Sequence, residues 1–237
     1  RLPADSRGHQ TVVKRLFKGA EVREDDALVG AFAVYFDQLV QHTRRFRTVR
    51  ESGTGMLVDE EYLAASAPML PPGDWPAGRP SSPSSAAAAG ARKANAVYFS
   101  YATRYYLQRR AWRYFRHLAY RDRVRYLNAV VHLLARYQDE HLASGEHLLD
   151  SWTLLQTAFR HHPALEFGRE RIRLAEGRSL GELRATPRFQ EHWESREALA
   201  CLLYLLESAQ SRLVRVWAIQ VLEEMHRDAV AELPVAR

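Results

Sequence analysis

Apolar residues recur three and four positions apart through most of the chain, which is the spacing of amphipathic α-helices. The clearest segment covers residues 100–118, where the apolar side chains fall on about half of the helix circumference. These side chains, with the next alanine, are Tyr105, Leu107, Ala111, Trp112, Tyr114, Phe115, Leu118 and Ala119. A face this wide is typical of a helix that packs against more than one neighbour. We therefore predict a helix here, capped by Ser100, with the rest of the chain packed around it.

Two helices are predicted before this segment. The first covers residues 6–20 and ends near Gly19, and the second follows Asp25 and Asp26, which suit a helix start. Because only a short loop separates them, the two helices are expected to form an antiparallel pair. The residues that follow do not keep the helical spacing, and Gly53 and Gly55 predict one short β-hairpin. The alternative is a basic loop that carries Arg44, Arg45, Arg47 and Arg50.

Further helices are predicted after position 121. Proline is favoured at the first helical position, so Thr186 followed by Pro187 predicts a helix start, and Pro163 predicts a helix end. Residues 164–185 are less periodic and favour a short strand or a turn of helix. The predicted caps of the other helices are Asp122, Ser144, Ser195 and Ser211.

A stretch rich in proline, serine and alanine at residues 66–96 divides the chain. Such residues bury too little apolar surface to offset the entropy of ordering them, so a linker or a long loop is expected. The predicted organisation is a helical pair with a hairpin in 1–65, this linker, and a helical region in 97–237. The two helical parts either pack as one domain or stay separate.

The arginines of the central helix concentrate the positive charge of the chain. The net charge is +6, and residues 101–125 contain eight arginines but one aspartate. Arg109, Arg110, Arg113 and Arg116 share the polar face of this helix, and we call them the arginine stripe. Tyr106 lies among them and Arg121, Arg123 and Arg125 follow, so the predicted binding surface consists of these eight residues. Arg104 lies in the apolar face and is expected to reach solvent or a carboxylate.

Few residues indicate catalysis. The chain contains no phosphate-binding loop, dinucleotide-binding glycine pattern, HExxH motif or nucleophile elbow. The single cysteine, Cys201, excludes an intramolecular disulfide and a cysteine-based zinc site, and its apolar surroundings predict a buried thiol. His132, His141, His147, His161 and His162 cluster in the sequence, but no pattern among them enforces metal geometry. The alternative of acid–base chemistry by Glu140, Glu146 and Asp150 beside His141 and His147 is weaker than a helix-start role for Glu146.

The segment SREALACLLYLLESAQSRLVRVWAIQVLEEM near the C-terminus resembles a HEAT-type repeat, mainly over residues 195–228. The second helix of that family often carries an apolar-Arg-x-x-Ala-x-x-x-Leu pattern, which here is Val214, Arg215, Ala218 and Leu222. The resemblance implies a scaffold that binds protein or nucleic acid, as in large bacterial multidomain proteins of unassigned function. It also implies that Arg215 bonds between helices.

These patterns together predict an all-α fold of antiparallel helix pairs, partly HEAT-like, as in an irregular α-solenoid. We expect a non-catalytic interaction domain without metal or cofactor, from a larger cytoplasmic bacterial protein, that binds a protein partner or a neighbouring domain. The first alternative is nucleic-acid binding through the arginine stripe, and the second is a metal-assisted hydrolase. The sequence contains no apolar run of about 18 residues, so no transmembrane helix is predicted.

Overall fold

The computed structural model describes residues 7–39, 41–50, 57–66, 101–169 and 171–232, with side chains for 11–39, 57, 103–169 and 171–232. Within these ranges the chain is mostly helical, which confirms the predicted all-α class. The helices are α1 Arg7–Val22, α2 Asp26–Gln38, α3 Tyr101–Arg121, α4 Arg123–Leu134, α5 Gly145–Asp150, α6 Trp152–Ala158, α7 Gln190–Trp193, α8 Arg196–Ser208, α9 Arg212–Met225 and α10 Arg227–Ala231. The strands are β1 Gln41–Arg50, β2 Leu57–Ser66, β3 Leu165–Phe167 and β4 Ile172–Leu174.

The chain forms two compact units. One comprises Arg1–Leu16 and Leu39–Arg104, and the other comprises Phe17–Gln38 and Tyr105–Arg237. We call the second of these the helical unit. The predicted cap Ser100 and most of the predicted linker, residues 67–96, lie outside the described residues.

Strands β1 and β2 confirm the predicted hairpin. They pair antiparallel over ten residues each, from Gln41 opposite Ser66 to Arg50 opposite Leu57. The alternative of a basic loop is wrong, because Arg44, Arg45, Arg47 and Arg50 lie in β1.

Helices α1 and α2 meet through a cluster of phenylalanines in the helical unit. Phe17 of α1 is fully buried, and its ring contacts those of Phe32 and Phe36 edge-on, with centroids 5.7 Å and 5.2 Å away. Helix α1 continues past Gly19 to Val22, and Glu24 then adopts a left-handed conformation at φ 53°. The Asp25 carboxylate accepts a hydrogen bond of 2.9 Å from the Leu28 amide, which confirms the predicted cap.

Helix α3 spans the central segment, as predicted. Its buried apolar side chains, Leu107, Ala111, Phe115, Leu118 and Ala119, all belong to the predicted apolar face, and the polar side chains of Arg104 and Gln108 are buried as well. Helix α4 follows directly, capped by Asp122 through the Arg125 amide at 2.9 Å, and packs against both α2 and α8. The core of the helical unit therefore lies where these helices converge.

A buried carboxylate on α2 determines where α6 begins. Asp37 is 3% exposed and accepts hydrogen bonds from the side chains of Gln108 and Tyr137 at 2.8 Å and 2.7 Å. It also accepts one from the Thr153 amide at 2.9 Å, in the first turn of α6. A negative charge at this end of a helix satisfies amides that have no partner within the helix.

The prediction of one helix from Ser144 to Pro163 is wrong. Ser144 caps α5 as predicted, since its hydroxyl accepts from the His147 amide at 3.2 Å. The helix then breaks at Ser151, where ψ is 73°, and α6 starts on the Asp37 carboxylate. A distant carboxylate that holds the Thr153 amide favours a second helix start over continuation of the first.

The predicted helix start at Thr186 and Pro187 is also wrong. The Thr186 and Arg188 amides donate to the Ala158 and Thr157 carbonyls, at 3.2 Å and 2.9 Å, near the end of α6. These bonds keep the segment outside a helix, and α7 begins only after Phe189. The less periodic residues before it contain the β3–β4 pair and a 3₁₀ turn at Leu180–Glu182.

Helices α8 and α9 begin after Ser195 and Ser211, at the predicted positions, but neither serine side chain caps its helix. Asp139, which follows α4, accepts instead from the Arg212 amide at 2.7 Å and the Ser211 hydroxyl at 3.0 Å. Arg215 donates to the Ala209 and Gln210 carbonyls at 2.7 Å and 3.0 Å. Arg215 therefore bonds to the turn between α8 and α9, which is a structural contact.

Candidate functional site

Two residues of the arginine stripe, Arg109 and Arg110, contact other side chains of the helical unit. The Arg109 guanidinium lies over the rings of Tyr105 and Trp152, 4.0 Å and 5.0 Å from their centres. Arg110 forms an ion pair of 2.6 Å with Glu21 and also donates to the Tyr106 hydroxyl at 2.7 Å. Because Glu21 is largely buried, this pair contributes to packing and is poorly placed to recognise a partner.

The turn between α1 and α2 neutralises the arginines at the end of α3 and the start of α4. Arg125 contacts the Asp26 and Glu24 carboxylates at 2.7 Å and 2.6 Å, and Arg121 contacts Glu24 at 3.0 Å. The hydrogen bond from Arg125, followed by that from Arg121, lowers the pKa of Glu24. The remaining member, Arg123, contacts Glu197 at 3.4 Å. These three arginines of the predicted surface therefore have intramolecular partners.

Two residues of the arginine stripe, Arg113 and Arg116, have no carboxylate partner among the described side chains. Arg113 is exposed, and its Nε donates to the Arg109 carbonyl of the same helix at 3.3 Å. Arg116 is partly buried and lies over the indole of Trp112, 5.1 Å from the ring centre. Tyr106 keeps 45% of its surface exposed beside Arg110.

A second arginine reaches the same indole from a distant part of the chain. The Arg188 guanidinium is 4.9 Å from the Trp112 ring centre and 5.2 Å from that of Phe189. Since Arg116 and Arg188 both lie about 5 Å from one ring centre, their guanidinium carbons are within about 10 Å of each other. Such stacking holds a guanidinium by its face and leaves the N–H groups at its edge available.

Arg160 adds a third positive charge. It follows α6 and lies over the ring of Phe167 in β3, 4.5 Å from the ring centre. Burial lowers the pKa of Arg188, and the charges of Arg160 and then Arg116 lower it further. We call Trp112, Arg116, Arg160 and Arg188 the arginine–tryptophan cluster.

This cluster has unsatisfied donors. Among the residues whose side chains the structure describes, no carboxylate pairs with Arg116, Arg160 or Arg188. The Nε of Arg188 and the hydroxyl oxygen of Thr186 are both buried without a hydrogen-bond partner within the same ranges. Buried donors of this kind are rare in folded proteins and indicate a place where a ligand or water completes the site.

The backbone next to Arg188 is held firmly. Phe189 has a φ of 58°, which is uncommon for a residue other than glycine. Its ring stacks on His192 at 5.4 Å and contacts Tyr126 edge-on at 5.6 Å. His192 in turn bonds to the Ala119 carbonyl at 3.0 Å. A strained conformation kept by its surroundings is a common feature of binding sites.

The sequence prediction included only Arg116 from this cluster and missed Arg160 and Arg188. Arg188 belongs to the extended segment that was predicted to start a helix, and Arg160 follows the end of α6. Neither residue is part of a periodic pattern, because tertiary contacts alone bring them to α3.

Two of the histidines considered for metal or acid–base chemistry have structural contacts. His141 Nδ1 lies 2.8 Å from the Gln38 amide, and His132 bonds to the Tyr204 hydroxyl at 3.1 Å. In the part of the chain that the structure describes, no group of three or more His, Cys, Asp or Glu is arranged to hold a metal ion. Cys201 is buried, as predicted, and burial raises the pKa of its thiol.

Comparison of the chain with protein-family models, curated proteins and solved structures gives no match. None of the described helices has both the length and the apolar character that crossing a membrane requires.

Proposed function

We propose that this chain is a non-catalytic helical interaction domain that binds an acidic protein partner through the arginine–tryptophan cluster. The observation that carries the proposal is the contrast in charge pairing along α3 and α4. Arg110, Arg121 and Arg125 are paired with acids of the same unit, whereas none of the described carboxylates pairs with Arg116, Arg160 or Arg188. Positive groups left without counterions in one place attract and orient an oppositely charged surface.

The composition of the cluster also suits a protein interface. Arginine and tryptophan are the residue types most enriched at the energetic centres of such interfaces. The resemblance of residues 195–228 to a HEAT-type repeat supports an interaction role in the same way. In this proposal the domain belongs to a larger protein of the bacterial cytoplasm, and the partner is a separate protein or a neighbouring domain.

Nucleic acid is the second candidate, favoured by the exposure of Arg113 and Tyr106 on α3, the helix that carries Arg116. A nucleic-acid strand is usually bound by a track of cations with open aromatic faces for the bases. Here two guanidinium groups lie over the Trp112 indole, where a base would otherwise stack. The geometry therefore favours a compact acidic group over an extended polyanion.

The proposal is tested by the fluorescence anisotropy of two labelled probes, an aspartate- and glutamate-rich peptide and a single-stranded oligonucleotide of equal charge. We expect the peptide to bind at low salt, and the variant R116E/R188E to weaken it about a hundredfold, because two attractive contacts become repulsive. The variant R136E/R196E changes the net charge equally at exposed positions outside the cluster and should bind like the wild type.

The two candidates separate by which probe responds. Tighter binding of the oligonucleotide, lost in R116E/R188E, would replace the acidic protein partner by nucleic acid. If the two double variants weaken the peptide equally, the cluster is not the binding surface and the proposal fails.

A further inference from the structure

The arginine–tryptophan cluster carries more charge than one carboxylate of a partner neutralises. The guanidinium groups of Arg116 and Arg188 lie over the same indole, and the charge of Arg160 acts on Arg188. Among the described side chains, no acid pairs with any of the three. A carboxylate supplies one negative charge, whereas a phosphate monoester carries between −1.5 and −2 near pH 7, since its second pKa is about 6. The charge of the cluster is therefore matched best by a dianion.

The donors of the cluster also suit a tetrahedral anion. Each guanidinium group carries five N–H donors in a planar fork that fits phosphate oxygens in pairs. The Arg188 Nε and the Thr186 hydroxyl are buried and lack partners within the described ranges, and they lie two residues apart on one segment. A ligand with three terminal oxygens would accept from several of these donors at once.

The cluster is ordered before any ligand arrives. Trp112 and Phe189 support the Arg188 guanidinium from its faces, and the Arg188 amide is fixed to the Thr157 carbonyl at 2.9 Å. Arg116 and Arg160 are also stacked on rings, at 5.1 Å and 4.5 Å. Less side-chain freedom is then lost on binding, which favours specific capture of a small group.

We infer that the arginine–tryptophan cluster binds a single phosphate monoester, carried by a phosphorylated serine or threonine of the protein partner. The inference rests on the proposed function, since it names the group by which the acidic partner is held. A phosphorylated side chain fits better than a nucleic-acid backbone, because each phosphodiester carries one charge whereas the cluster supplies three positive groups. Clusters of arginines are a common means of recognising phosphorylated segments.

The test uses the whole chain and follows the arginine Nε–H resonances by NMR at constant ionic strength. The probes are inorganic phosphate, O-phosphoserine with blocked termini, a dinucleoside phosphodiester and acetate. We expect phosphoserine to shift the Arg188 resonance in a saturable manner, about tenfold more tightly than acetate or the diester, since bidentate contacts to a dianion are the strongest of these. Its affinity should also fall between pH 7 and pH 5, as the second phosphate proton is regained near pH 6.

Matched variants distinguish recognition from bulk charge. R188K keeps the charge but loses the planar fork, so it should weaken phosphoserine about tenfold. R136K makes the same change at an exposed arginine outside the cluster and should leave the affinity unchanged. Circular dichroism of both variants establishes that any loss of affinity is not a loss of folding.

The outcomes distinguish a failure of the phosphate inference from a failure of the proposed binding of an acidic partner. If acetate and phosphoserine bind equally, or if neither shift saturates, the phosphate inference is overturned, and the acidic-peptide assay decides the proposed function on its own. Equal binding of the phosphodiester also overturns the inference, because it assigns the site to nucleic acid. Specific binding of inorganic phosphate with no effect of phosphoserine would identify a site for the free ion and would overturn the assignment to a partner protein.

Discussion

Asp37 gives the sharpest test of how the helical unit is held together. Its carboxylate accepts from Gln108 on α3, from Tyr137 after α4 and from the Thr153 amide of α6. The variant D37A removes the acceptor and leaves these three donors buried. A buried donor without a partner costs about 1–3 kcal/mol. We therefore expect D37A to lower the free energy of unfolding by about 3–6 kcal/mol, allowing for water that enters the space.

The variant D37N separates the charge from the shape. Asparagine keeps one acceptor oxygen, which serves Tyr137 and Thr153, but its amide group then faces the Gln108 donor. Gln108 relieves this contact only by turning its own amide, which breaks its bond of 3.1 Å to the Asp150 carbonyl. A loss of about 1.5–3 kcal/mol is expected, which is the range for a hydrogen bond to a charged group.

The measurement is urea denaturation followed by far-ultraviolet circular dichroism, with the m-value used to check that the unfolding remains comparable. Tyr137, whose pKa is raised by burial, stays protonated as a donor, so Y137F should cost about 1–2 kcal/mol. The double variant D37N/Y137F should cost less than the sum of the single changes, because the bond that Y137F removes is weaker once its acceptor is uncharged. E176Q, at an exposed carboxylate, should stay within about 0.5 kcal/mol of the wild type. A cost below about 1 kcal/mol for D37A would refute the view that this carboxylate organises the unit.

Three further outcomes follow from the structure. The pKa of Glu24 is lowered by Arg125 and Arg121 from the usual 4.5, so its contribution to stability is present above that value and is lost as the pH falls. The difference in Tm between the wild type and E24Q should therefore close in acid, and a constant difference would contradict the assignment. D139A should cost about 1 kcal/mol in the same urea assay, because it removes the cap of α9. Cys201, buried and with a raised pKa, should react with iodoacetamide at least about tenfold more slowly in the native protein than in urea.

Local signals in the sequence account for most of the helices. The apolar spacing of residues 100–118 identified α3 and its buried face, and Asp25 identified the start of α2. Such signals work because side chains three and four positions apart share a helix face and because a capping carboxylate acts on amides within its own turn. The hairpin of β1 and β2 was also predicted from a local signal, which was the loss of helical spacing on either side of Gly53 and Gly55.

Contacts between distant segments explain what the sequence did not reveal. The break at Ser151 depends on Asp37, more than a hundred residues earlier, and nothing near Asp37 in the sequence marks it as a buried acceptor. Thr186 and Pro187 carry a strong local signal for a helix, but the carbonyls at the end of α6 hold that segment extended.

The candidate site shows the same limit. Helix α3 supplies Arg116, which periodicity placed on the polar face, and Trp112, which it placed on the apolar face. Arg160 and Arg188 come from the segments after α6 and before α7, which periodicity does not describe. The sequence also overestimated the predicted binding surface, because the acids that neutralise Arg110 and Arg125 come from α1, the turn after it and the start of α2.

The bond from Asp139 to the start of α9 bears on how the C-terminal segment should be handled. Because the acceptor for the Arg212 amide lies about seventy residues upstream, a fragment that begins at Ser195 would carry α9 with an exposed, frayed first turn. Helices α8 and α9 are therefore unsuitable for expression as an isolated fragment or for transfer to another protein, although their sequence resembles a HEAT-type repeat. Truncations that aim to shorten this protein should retain the segment around Asp139.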